Sequence, residues 1–266
     1  MSFKVLRDAR GFSEVISSVI LTSVIMVIVI TSAYYANDVI RYNLESVEFD
    51  QAINSLLSLE RMVDKIMFNP GSTCSIRTSF KTTCPYFTQD GTLVIFANET
   101  EIASISENAF RIKGGESVGV SLSFDYVGNH SKLIVDLNEP LGCVRKYQNQ
   151  GAWVSLDYFR IRCVYSGVMS YYNGTNPEPK RRNVVEILAV QLNSSDLNPM
   201  ERSRVILENL DVQTQQVILP QGNFSITVQF NGNEESVSLT SLGGNPEIPT
   251  LINLTTVRFK ITVLGG

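Results

Sequence analysis

The sequence predicts an α+β protein: a long N-terminal helix, membrane-spanning in its first half, then a mostly antiparallel β-sandwich-type extracellular domain. Three observations carry that prediction. Val15 to Asn37 is a run of 23 residues without a charge. From Asp38 to Phe68 neither Gly nor Pro interrupts apolar residues at helical spacing. After Ser72 the chain changes to short β-type runs separated by turn residues.

The uncharged run comes first. At about 1.5 Å per residue a helix of this length covers roughly 35 Å, enough to cross the hydrocarbon core of a bilayer. A core helix of a soluble protein would carry polar positions along one face. Here the polar residues are almost all Ser and Thr, whose hydroxyls can bond back to carbonyls of their own helix. Lys4, Arg7 and Arg10 outweigh Asp8 ahead of the run. That bias keeps the N-terminus cytoplasmic and sends the bulk of the chain outside. Tyr34 and Tyr35, where the run meets its first charge, suit an interfacial anchor.

A secretory signal peptide would have a shorter apolar segment with its cleavage site on the far side. In this chain the candidate break, between Gly11 and Phe12, lies on the near side. The order Arg10-Gly11-Phe12-Ser13-Glu14-Val15-Ile16 resembles the class III leader of type IV pilins, in its archaeal form. The resemblance covers about the first 40 residues. It implies a leader over 1–11, removed by a prepilin peptidase, and a retained transmembrane helix over 12–37. It also implies membrane lipid and other pilin-like subunits as partners. Bacterial pilins carry an acid at the fifth mature position, whereas Glu14 would be third, where archaeal relatives place Pro or an acid. Glu14 is therefore a candidate assembly residue at the helix N-terminus. Its plain electrostatic reading is an acid complementing the positive end of the helix. An uncleaved signal anchor would need the same basic flank and the same apolar run.

Residues 38–69 extend the helix. Ile40, Leu44, Val47, Ile53, Leu56, Leu57, Val63, Ile66 and Met67 recur at helical spacing. Glu60 is placed on the polar side, and Asp50, Asn54, Arg61, Asp64 and Lys65 form a wet face. Asn69-Pro70-Gly71 ends the element. The apolar stripe needs a partner, most simply the protein's own C-terminal domain.

In the β-rich domain, 72–266, strands are expected over 92–97, 109–113, 117–127, 133–137, 184–192, 224–230, 236–240 and 254–264. Segment 153–165 reads as a strand pair or one long strand, with Trp153 in the core. Segment 204–219 is ambiguous between helix and strand, and its β-branched residues favour strand. The Gly128-Asn129 turn is expected to join 117–127 and 133–137 as a hairpin, and Asn231-Gly232 to join a second. Residues 171–182 read as an exposed loop and candidate sub-domain boundary.

Cys74, Cys84, Cys143 and Cys163 all lie on the outer side and allow three connectivities. The sequential pairing, each pair closing a hairpin or loop, is the simplest. A metal site is disfavoured, because there is no C-x-x-C and a single histidine, His130. Sequons at Asn98, Asn129, Asn173, Asn193, Asn223 and Asn253 all follow residue 90, as expected of a glycosylated outer surface.

Nothing in the sequence assembles a catalytic constellation or calls for a cofactor. Paired acids such as Glu234-Glu235, or Asp136 with Glu139, lie by turns where solvated carboxylates are usual. The net charge of −4 without a long basic patch argues against nucleic acid, and the short run Lys180-Arg181-Arg182 reads as solvated. The expected function is a structural subunit or minor component of an archaeal type IV pilus-like surface filament. The alternative is a single-pass anchored surface protein that displays its β-domain for adhesion or solute binding and does not polymerise.

Overall fold

The computed structural model describes residues 4–172 and 179–265, with side chains from Val15 onward apart from that of Asp196. It has one long apolar helix followed by a β-rich domain, and divides into two compact units at Glu45/Ser46. Helix α1 (Lys4–Ile66) runs 63 residues without a break. From Val15 to Leu44 every described side chain is exposed. Thr22 Oγ1 donates to Ser18 O, Ser23 Oγ to Val19 O and Thr31 Oγ1 to Val27 O, at 2.5, 2.7 and 2.8 Å. These back-bonds leave the first half of α1 with little unsatisfied polarity on its surface.

From Ser46 on, α1 belongs to the β-rich unit. The strands are β1 (Thr73–Thr78), β2 (Cys84–Ala97), β3 (Thr100–Lys113), β4 (Phe124–Val127), β5 (Ile134–Val135), β6 (Cys143–Gln148) and β7 (Ala152–Asp157). After them come β8 (Ile161–Tyr171), β9 (Lys180–Leu197), β10 (Ser203–Leu219), β11 (Ser225–Phe230), β12 (Asn233–Ser238) and β13 (Thr250–Gly265). They form a six-stranded sheet, β1-β10-β13-β9-β8-β5, and a seven-stranded sheet, β12-β11-β2-β3-β7-β6-β4. All pairings are antiparallel except β9 with β13 and β5 with β8.

The amphipathic part of α1 buries Phe49, Ile53, Leu56, Leu59 and Val63, with Met67 just past its end, against Phe110, Val154 and Leu156 of one sheet and Val190, Phe259 and Ile261 of the other. Leu56 and Leu59 are fully buried, each contributing roughly 1.5–3 kcal/mol. A second core joins Leu93, Ile95 and Ile226 to Ile161, Ile187 and Leu254. The run Val184-Val-Glu-Ile-Leu-Ala-Val-Gln-Leu192 serves both cores. Val185, Ile187 and Ala189 point into the second, and Leu188, Val190 and Leu192 into the first. A strand covered on both faces needs this near-continuous apolarity, as parallel-paired strands generally do.

Two polar devices fix α1 to the strands. The Glu48 carboxylate accepts from Thr82 N at 2.9 Å and from Thr83 Oγ1 at 3.3 Å, holding the β1–β2 connection. At the other end Asn209 Nδ2 donates to Ile66 O and Met67 O, both at 2.8 Å, so carbonyls that the helix leaves open are satisfied.

Several expectations are corrected. The stripe excludes Ile40, Leu44 and Val47, which are exposed, while Glu60 is buried among the apolar positions. The 117–127/133–137 hairpin does not form: only Phe124–Val127 and Ile134–Val135 of it are strand, and β4 pairs with β6 in one sheet while β5 pairs with β8 in the other. Segment 153–165 is neither one strand nor a pair. It crosses from β7 to β8, in different sheets, through the buried Tyr158, Phe159 and Arg160. Arg160 donates to the carbonyls of Pro140, Leu141 and Gly142, so backbone dipoles stabilise a cation in the interior. Of the expected loop 171–182, Tyr171 ends β8 and Lys180–Arg182 begin β9, pairing from Tyr171↔Lys180 onward, and 173–178 lie outside the described residues. The Asn231-Gly232 hairpin forms as expected, with φ of 48° and 81°, the two positive values a type I′ turn requires. Segment 204–219 is one strand, bulged between Asn209 and Asp211.

Candidate functional site

Two features of the surface carry chemistry. The first is the exposed apolar face of α1 from Val15 to Leu44, where Val24, Met26, Val27, Val29 and Ile30 are each at least half exposed. This helix is long and apolar enough to cross a membrane, and its most apolar 18-residue window buries nothing. Tyr34 and Tyr35 stand exposed where the charges resume, their rings edge to face at 6.3 Å. Gly11, Phe12 and Glu14 lie in continuous helical backbone, and their side chains fall outside the described residues.

The second feature lies in the β-rich unit: a cavity of about 360 Å³. Ser155, Asp157, Phe159 and Phe230 are its buried members, and His130, Asn149, Asn231 and Asn233 its exposed ones. Adjacent strands of the seven-stranded sheet supply the acids, Asp90 from β2, Glu107 from β3 and Asp157 from β7, with Glu107 behind the lining. Arg111 Nη2 bonds both oxygens of Asp90 at 2.6 Å. Arg145 Nε stands 3.5 Å from Asp125 Oδ1, and Asp125 Oδ2 accepts from His130 N at 3.0 Å. The aromatic side is layered. His130 meets Phe159 edge-on at 5.1 Å, and Phe159 stacks on Phe230 at 5.2 Å.

Burial sets the protonation of this cluster. Asp157, 6% exposed, is pushed up to about 7, mainly by desolvation, against the pull of the Ser155 hydroxyl 2.8 Å from Oδ2. Glu107 is pushed well above the carboxylate range by desolvation, then by Asp157 and Asp90, and neither of its oxygens has a hydrogen-bond partner. Partial burial, with Arg145 adding to it, lowers His130. Near pH 7 the site therefore keeps the proton on Glu107, holds Asp157 close to half protonation and leaves its histidine neutral. Among the described residues no group of three or more His, Cys, Asp and Glu is arranged to hold a metal ion.

The cysteines do not close hairpins. Cys74 lies on β1 and Cys84 on β2, Cys143 on β6 and Cys163 on β8, so each sequential pair is divided between the two sheets. All four are free thiols, and burial pushes those of Cys143 and Cys163 up to about 12. The sequons sort by position. Asn98, Asn129 and Asn223 are exposed at turns or connections, whereas Asn193 and Asn253 are half-buried within β9 and β13, central in their sheet. Asn173 lies outside the described residues.

Trp153 is half-buried at the surface rather than in the core. It packs on Tyr86 at 5.3 Å and donates from Nε1 to Asn149 O at 2.7 Å. Glu235 is not simply solvated, because its Oε2 accepts from Leu133 N and Ile134 N at 2.6 and 3.1 Å, linking β12 to β5. Sequence reasoning passed over Asp90, Arg111, Arg145 and Asp157 altogether. The available signal was Asp157 and Arg160 inside the stretch Val154–Ile161, which is apolar apart from them and Ser155.

Comparison of the chain with protein families, curated proteins and solved structures finds no match. Fold and site define an apolar α-helix joined to a two-sheet β-unit with a polar cavity.

Proposed function

We propose that this chain is a non-enzymatic subunit, major or minor, of an archaeal type IV pilus-like surface filament. A prepilin peptidase cuts after Gly11, and the new N-terminus begins a helix that stays in the membrane until assembly. In the filament the helices from Phe12 to about Ala36 pack against copies of themselves. The β-rich unit, with its two sheets as a sandwich, faces out and carries glycans at exposed sequons. The observation that supports this most is the wholly exposed apolar surface of Val15–Leu44. Burying such surface from water contributes about 25 cal/mol per Å². Within lipid that term largely vanishes, and close helix packing must supply the rest. Surface filaments sheared from the native cells and probed with an antibody to residues 46–266 test the reading. Labelling along their length supports it, and labelling confined to the membrane pellet rejects polymerisation.

The cavity favours a second reading, in which the chain stays a single-pass membrane anchor and displays the β-rich unit for solute binding or adhesion. A unit serving only as a filament's outer wall has no need of buried, proton-holding acids beside unpaired polar atoms, which cost stability.

A further inference from the structure

We propose that the cavity between His130, Phe159 and Asp157 is a saccharide-binding site that takes a neutral pyranose through its hydroxyl groups. The site serves a filament subunit and an anchored protein equally, so the inference stands apart from polymerisation. At about 360 Å³ the space lies at the small end of ligand pockets, which suits one sugar ring with part of a neighbour.

Charge excludes the obvious competitors. Both arginines already face carboxylates, Arg111 at 2.6 Å from Asp90 and Arg145 at 3.5 Å from Asp125, so neither offers an uncompensated cation to a phosphate or carboxylate. Desolvation keeps Asp157 protonated well above the usual carboxylate range, so no strong free anion awaits an amine. What remains is incompletely paired hydrogen bonding: Arg111 Nε has a proton without an acceptor, and Asp157 Oδ1 has no partner but the neighbouring Asp90 carboxyl. A hydroxyl both donates and accepts, and can satisfy the two kinds of group together. Buried polar groups left unpaired penalise any occupant that cannot hydrogen-bond, which is how a site comes to require hydroxyls. Asn149, Asn231 and Asn233 add amides at the rim. The Phe159–Phe230 stack capped by His130 gives the C–H face of a sugar ring an aromatic wall.

Two sources of sugar share this chemistry. One is an external glycan. The other is the chain's own glycan on Asn129, the residue before His130, in an exposed turn where Asn129 Oδ1 accepts from Ser131 N at 3.0 Å.

The test uses the full chain in detergent micelles and saturation-transfer NMR with glucose, galactose, mannose and N-acetylglucosamine, with glycine and inorganic phosphate as charged probes. The same panel is run on Ser131→Ala, which removes the sequon, and on Tyr147→Phe and Asn233→Ala, which alter two residues lining the cavity, Tyr147 from β6 and Asn233 from β12, while keeping size or exposure. Circular dichroism confirms that each variant is folded. For an external glycan, at least one sugar binds the wild type, and the lining variants weaken it fivefold or more. For the chain's own glycan, mass spectrometry finds a sugar on Asn129, and free sugar binds the Ser131→Ala variant in preference to the wild type. The proposal is overturned if no sugar binds either protein. It is equally overturned if glycine or phosphate binds in place of the sugars, or if sugar binding is untouched by both lining variants.

Discussion

Replacing Asp157 by Asn tests the cavity's electrostatics directly. Folding raises this carboxyl from 3.8 to about 7, with desolvation as the first cause. The sign follows from which state holds the proton. Below about pH 4 both folded and unfolded chains are protonated here, and the group costs the fold nothing. Between about 4 and 7 the unfolded chain gives up its proton while the folded chain keeps it, so stability falls with rising pH. Above about 7 the loss is complete. At about 1.36 kcal/mol per pH unit it amounts to about 4 kcal/mol. The amide imitates the protonated acid: its Oδ1 still accepts from the Ser155 hydroxyl, and it has no proton to lose. Asp157→Asn should therefore match the wild type at pH 4 and exceed it by about 4 kcal/mol at pH 8. For a unit of this size that is a gain of about 10 °C in Tm. Guanidinium denaturation of both proteins at pH 4, 6 and 8 reads the difference. Parallel stability–pH curves would refute the reasoning, because they would show that Asp157 ionises alike in the folded and unfolded chains.

Other substitutions probe how α1 is held. Leu56→Ala removes a fully buried side chain from the helix–sheet core and should cost about 2–5 kcal/mol in urea denaturation. Asn209→Ala breaks two hydrogen bonds to Ile66 O and Met67 O and leaves those carbonyls without their partner; a loss of about 2–3 kcal/mol is expected by the same assay. Maleimide labelling at pH 7.5 should reach Cys74 and Cys84 in the native protein and spare Cys143 and Cys163 until it unfolds, because burial keeps those two thiols protonated. Equal native labelling of all four, read by peptide mass spectrometry, would contradict the buried placement.

Where local pattern decides the structure, the sequence was readable. The uncharged run, the Asn69-Pro70-Gly71 stop, the Asn231-Gly232 turn and the apolar run at Val184 each match an element. The β2–β3 hairpin went unseen because its turn is Asn98-Glu99, held at φ of 47° and 61° without a glycine. Alternation over 117–127 suggests a strand, yet 117–123 are turn and irregular chain and only Phe124–Val127 is strand, because period-two patterning does not say whether another strand lies alongside. The partners of β4 and β5 are fixed by contacts far along the chain. Glu60, Asp157 and Arg160 were misplaced or missed for one reason: charge predicts exposure unless something pairs it. What stabilises Arg160 is three carbonyls, and what meets Asp157 is a hydroxyl and a neighbouring acid. None of those partners is visible in a hydropathy pattern. Glu60, pushed up to about 7 chiefly by desolvation, enters the core as an acid able to keep its proton.

The account rests on an apolar helix that loses its basic leader and remains attached to the β-rich unit. Mass spectrometry of the N-terminus of the protein isolated from its native membrane measures this directly. A chain beginning at Phe12, with Val15–Ala36 retained, is the predicted result. A chain still carrying Met1 or Ser2, or one cut beyond Ala36, would contradict it.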